Sequence, residues 1–185
     1  MKKAFLAIMG IAIFTASFAQ KRLDEKKFHF SVGAELGFAT GSFNNSHTVG
    51  IGGSAQAEYN VAPNTNVTLT TGVIGYAGRK AQGANNLKYS ASNIVPLKGG
   101  IKYFVNNGFY GAAQLGVAFF NNYVDVNSTV PYNGSEQALA FTPMIGYEFK
   151  SKSDKAFDAS FKYDFYARQG GSFGSVGFRL AYKFR

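Results

Sequence analysis

The chain has 185 residues, a formal net charge of +9 and no cysteine. That length suits one domain, and the missing thiols exclude a disulfide scaffold, a thiolate metal centre, a cysteine nucleophile and an N-terminal lipid anchor on cysteine. With 22 Gly, 19 Phe, 11 Tyr and only 4 Pro, the composition points to an all-β protein.

The chain opens with Met1-Lys2-Lys3, continues almost wholly apolar from Ala4 to Phe14, and sets small residues at Ser17 and Ala19 before Gln20. This is the pattern of a secretory signal peptide, residues 1–19, cleaved after Ala19. The apolar run is too short for a membrane helix, which needs about 20 residues. Residues 20–26 read as a short charged leader on the periplasmic side, and residues 27–185 as a barrel domain. No later stretch is long and apolar enough for a membrane helix. The basic residues are dispersed, so nucleic acid is not an expected partner of this exported chain.

From Lys27 the pattern is strand and break, eight times. The first strand, 27–39, sets Phe28, Phe30, Val32, Ala34, Leu36 and Phe38 on one face and His29, Ser31, Gly33, Glu35 and Gly37 on the other. That period of two marks a strand with one apolar face. The same alternation predicts strands over 48–61, 66–78, 93–104, 109–121, 138–150, 157–167 and 173–185. Ile74 breaks it in the third. Pro96 and Pro143 fall inside strands and predict bulges or frayed ends there, since proline has no amide donor. The breaks at 62–65, 105–108 and 151–156 are short, and Asn107-Gly108 is a tight-hairpin signal. Those at 40–47, 80–91 and 122–137 are longer, while 168–172 is short and departs from the trend.

Short turns at one end and longer loops at the other are the asymmetry of an outer-membrane barrel. Strands of about 11 to 13 residues can cross a membrane when tilted. Apolar-face aromatics gather toward the short-turn end, at Phe28, Phe30, Tyr59, Tyr103, Phe109, Tyr147, Phe149, Phe157, Tyr182 and Phe184. These read as a girdle at a membrane interface. A thinner set, Phe38, Phe119, Phe141 and Phe165, marks the loop end. The polar face carries Glu35, Glu58, Lys98, Lys102, Glu148, Lys150, Asp158, Lys162, Asp164, Arg179 and Lys183, spaced by glycines. Inside eight strands the space is just filled by side chains, and charges there must pair. The expected fold is therefore an all-β, eight-stranded antiparallel up-and-down transmembrane β-barrel. Its last strand closes on 28–38 and brings Arg179 within reach of Glu35. The alternative is a soluble exported lipocalin-like barrel with a lipophilic ligand inside.

Residues 96–104 (PLKGGIKYF), 110–116 (YGAAQLG) and 145–149 (IGYEF) resemble the strand motifs of small outer-membrane β-barrel proteins of Bacteroidetes, the porin-family or OmpA/OmpX-like barrels. The Phe-Ala-Gln end of the signal resembles that group too. The resemblance spans nearly the whole mature chain. It implies an outer-membrane location with both termini periplasmic, lipid as the surrounding partner, and no shared catalytic residues. The closing strand resembles the C-terminal signal read by the barrel-insertion machinery, offset by one because Arg185 follows Phe184. A monomer is expected.

Three features of the sequence bear on possible chemistry. Residues 50–55 match G-x-G-x-x-A, but alternation continues through Tyr59 and no helix follows, as a dinucleotide site requires. His29 and His47 are the only histidines and stand apart from carboxylates at metal-ligand spacing, so no metal and no cofactor is expected. His47 beside Ser46 is the one base–nucleophile candidate, read as a solvated loop pair. Asp158, Lys162 and Asp164 read as interior ion pairs, and no enzyme activity is expected.

Overall fold

The structure, a computed structural model, describes residues 28–80, 91–105, 108–124, 132–150, 155–168 and 171–184. The expected signal segment, its cleavage point and the leader lie outside these residues. Eight strands follow in order: β1 Phe28–Thr40, β2 His47–Ala62, β3 Thr65–Gly78, β4 Ser92–Phe104, β5 Phe109–Val124, β6 Tyr132–Lys150, β7 Lys155–Arg168 and β8 Gly171–Phe184. Each pairs antiparallel with the next, and β8 pairs antiparallel with β1 to close the barrel. Closure satisfies every strand edge and explains why the terminal strands are as long and apolar as the others.

Alternation becomes inside and outside. Along β1, Phe28, Phe30, Val32, Leu36 and Phe38 are exposed on the outer wall, whereas Ser31 and Glu35 are buried inside. The closing ladder sets Glu35 directly opposite Arg179, as the pattern predicts.

Three expectations change. The strands run from 13 to 19 residues, longer than alternation alone suggests. In the expected loop at 122–137, the described residues 122–124 and 132–137 are ladder, with β5 and β6 still paired at Val124↔Tyr132; polar residues there hide strand because they lie beyond the apolar belt. The prolines make no bulge. Pro96 keeps its place opposite Ala118 and Pro143 opposite Ala113. Each only interrupts the ladder on its other side, where Gly72 and Val73 lack partners in β4, or Asp164 and Tyr163 lack partners in β6. A missing amide donor costs a bridge on one side only. The register shifts lie instead in β2, at His47/Gly50 and Asn60/Ala62.

The turn between β2 and β3 uses Asn64 at φ 63, a left-handed conformation that Asn tolerates. The connection between β1 and β2 forms a 3-10 turn, Gly41–Asn45, whose Phe43 is buried.

Candidate functional site in the barrel interior

The inner wall builds three layers. Nearest the short turns, Lys102 Nζ lies 2.7 Å from Asp158 Oδ2, 3.1 Å from Glu58 Oε1 and 3.5 Å from Glu148 Oε2. Lys183 Nζ lies 2.8 Å from both Glu58 Oε2 and Glu148 Oε2. The middle layer joins Lys162 to Glu35 at 2.7 Å and to Asp164 at 3.0 Å, and Lys98 to Asp164 at 2.8 Å. Arg179 links the two, 3.6 Å from Glu35 and 3.8 Å from Asp158. All ten expected interior charges are buried here. The side chain of Lys150 lies outside the description.

The sign balance explains why so many charges can be buried in this interior. The first layer sets two cations against three carboxylates, and the second sets three cations against two. Together they cancel. A lone buried charge would cost several kcal/mol, and a network offsets that only if each partner is also hydrogen bonded. Here each is. Asn66 and Gln56 donate to Glu58 at 2.9 and 2.8 Å. Tyr110 donates to Asp158 at 2.7 Å. Thr142 accepts from Lys98 at 2.8 Å and donates to Asp164 at 2.7 Å. Arg179 donates to Ser54 and Ser31 at 2.8 and 3.0 Å. Alternation places these neutral partners on the inner face, but nothing in their spacing signals their role.

The third layer, toward the loops, is apolar. Ile74, Tyr76, Ile94, Ala118, Phe120, Ala138, Ala140 and Tyr166 are buried together, with Phe173 packed against them. Phe43 closes the top, its ring 4.7 Å from His47, 5.0 Å from Tyr76 and 5.1 Å from Phe173. An interior of ion pairs alone is therefore incomplete: its outer third is an aromatic cap. The signal for it was present as apolar doublets near the loop ends, Val73-Ile74, Ile94-Val95 and Phe119-Phe120. A strand apolar on both faces has an apolar interior at that height.

The inward glycines serve this cap as well as the charges. A Cβ at Gly37 or Gly50 would run into the Tyr76 ring, and one at Gly146 into Tyr110. At Gly177 it would crowd Lys162. A large side chain lying over a cross-strand glycine fills the space the glycine leaves.

The expected girdle residues all stand on the outer wall at the short-turn end. Phe28, Phe30, Tyr59, Tyr103, Phe109, Tyr147, Phe149, Phe157 and Phe184 are exposed. Tyr182 is half-buried, with its ring 5.4 Å from Phe157 and 4.9 Å from Phe184. The loop-end set Phe38, Phe119, Phe141 and Phe165 is exposed as well.

Among the described residues no group of three or more His, Cys, Asp or Glu could hold a metal ion. Residues 50–55 lie wholly within β2. Ser46 and His47 do meet, Ser46 Oγ lying 2.8 Å from His47 Nδ1. The pair is not a solvated loop, because His47 begins β2, is buried, and stacks on Phe43. That packing makes it part of the cap. A lipocalin-like ligand chamber is not favoured, since the middle of the barrel is lined by ion pairs and its apolar end is filled by its own side chains.

No protein-family model matches the chain, and no curated protein matches it either. Solved structures do. The attachment invasion locus protein Ail of Yersinia pestis, in complex with the heparin analogue sucrose octasulfate, aligns with TM-score 0.61 at 12% identity, over 85% of this chain and 97% of that one. The N-terminal β-barrel domain of Pseudomonas aeruginosa OprF aligns with TM-score 0.57 at 14% identity, over 84% and 97%. Neisserial surface protein A aligns with TM-score 0.56 at 10% identity, over 86% and 97%. The narrower resemblance to Bacteroidetes barrels draws no support from these neighbours. What they share with this chain is the fold, a closed eight-stranded antiparallel up-and-down β-barrel of the kind found in small outer-membrane proteins.

Proposed function

We propose that the protein is a monomeric, non-enzymatic outer-membrane barrel, closed to solutes, that anchors its loop-end elements at the cell surface. The observation that carries this is the inversion of the wall. Leu69, Leu97, Leu115, Ile145 and Leu180 are exposed outside at mid-strand, while ten charged side chains are buried inside. Water as the outer solvent would favour the opposite arrangement, and lipid favours this one. The aromatic girdle then sits at the periplasmic interface, both termini are periplasmic, and the β5–β6 hairpin, paired out to Val124↔Tyr132, carries contacts with partners beyond the membrane. The last strand, with Phe184 exposed at its end, is the segment offered to the barrel-insertion machinery.

The layers support the closed state, since two ion layers and the aromatic cap place buried side chains inside the barrel. The protein, refolded, should be monodisperse only with detergent or lipid, and should give no stepwise conductance in a planar bilayer. Folded, monodisperse protein in plain buffer sinks the membrane reading. Reproducible current steps sink the closed reading alone.

A further inference from the structure

Beside the middle ion layer lies a cavity of about 10 Å³. Its lining includes Glu35, Ser54, Lys98, Gln114, Lys162 and Arg179. Gln114 is 2% exposed. Its Nε2 donates to Thr70 Oγ1 at 2.8 Å, and Thr70 donates in turn to Gln56 Oε1 at 3.0 Å. Gln56 Nε2 is committed to Glu58. This chain sets which way the Gln114 amide points, and leaves its Oε1 buried without a protein donor. A buried acceptor in that position calls for a donor. Cations line the same cavity. Lys98 gives protons to Thr142 and Asp164, and Lys162 pairs with Glu35 and Asp164. Each ammonium has three protons, so each keeps one beyond these contacts.

We infer that this cavity is a specific hydration site, holding one water molecule that donates to Gln114 Oε1 and accepts from Lys98 or Lys162. Three facts select water. The space suits one molecule, since a water needs at least about 10–15 Å³. The site presents an acceptor and donors together, and a water serves both within so small a space. A halide would suit the surplus cation of the middle layer, but it would face the bare Gln114 carbonyl oxygen and is larger than the space. The bound water ties Gln114, on β5, to the middle ion layer held by β4 and β7, and so couples the two layers through a neutral group. The inference rests on the interior geometry and stands apart from the closed-barrel reading.

The test is a crystal structure of the refolded protein from crystals soaked in bromide. The expected result is density for one water within about 3.2 Å of Gln114 Oε1, without anomalous bromide signal. No density there, or an anomalous peak, overturns the inference. The same structure of Gln114→Met, which keeps the length and loses the acceptor, should lose that water. Density unchanged in the variant also overturns it, and if the variant fails to fold the wild-type map decides alone.

Discussion

Arg179 and Glu35 face each other across the seam that makes the sheet a barrel. They are direct partners in the β1–β8 ladder, and Arg179 Nε lies 3.6 Å from Glu35 Oε1. The first and last strands are thus joined by charge as well as by backbone. Arg179 also donates to Ser54 of β2 and Ser31 of β1. Its planar fork, not charge alone, serves these bonds. Arg179→Lys is expected to keep the fold but lose about 1.5–3 kcal/mol. Urea unfolding in lipid vesicles measures it; an unchanged midpoint would mean that the seam needs only the charge.

Lys102 is the hub of the first layer, in contact with three carboxylates. Replacing it with Met leaves Lys183 as the one cation for Glu58 and Glu148, and Tyr110 as the donor to Asp158. The expected loss is about 3–5 kcal/mol, the cost of uncompensated buried charge. Lys183→Met, which removes two contacts rather than three, should cost less. The order is read from unfolding midpoints of the two variants, and the reverse order contradicts the hub assignment.

Leu180 is 60% exposed on the outer wall, in the middle of β8. On a lipid-facing wall Leu180→Arg should cost about 2–4 kcal/mol. On a wall facing water such a change falls within about 0.5 kcal/mol. Measuring the variant's unfolding free energy in vesicles separates the two solvents directly, and a near-zero change counts against lipid.

Gly50 sits opposite Tyr76 in the β2–β3 ladder, and a Cβ there would strike the tyrosine ring. Gly50→Val should cost about 1–3 kcal/mol through overpacking. In a Tyr76→Ala background the ring is gone and most of that added cost should disappear. A double-mutant cycle with no coupling would place the cost in the strand backbone instead.

Phe43 seals the loop end but is only the topmost ring. Phe43→Ala should destabilise by about 3 kcal/mol, the lower end for a buried Phe, because the site lies at the rim. It should leave the barrel non-conducting, since Tyr76, Phe120 and Tyr166 remain below. Current steps in this variant would make Phe43 the seal.

Much of the architecture is legible in one rule. A period of two places Glu35, Glu58, Lys98, Lys102, Glu148, Asp158, Lys162, Asp164, Arg179 and Lys183 on one face, and that face is the inner wall. The cap is less legible. Where Ile74, Ile94 and Phe120 adjoin outward apolar residues, alternation vanishes and the inner aromatic layer looks like noise. The ladder beyond the apolar belt, from Asn122 to Val124 and from Tyr132 to Gln137, is also hidden. Polar residues on both faces read as loop, although cross-strand hydrogen bonds need no apolar side chain.

By itself, then, the sequence determines the strand count, the two faces of each strand and the need for closure, because these are local periodicities and an edge that must be paired. Only the tertiary structure decides which charges meet. Lys102 reaches Glu58, Glu148 and Asp158 from three other strands, at separations that the stagger of the closed barrel sets and that no local pattern encodes. The same stagger divides the interior into two ion layers of opposite surplus and an aromatic cap, and leaves the one-water cavity beside Gln114.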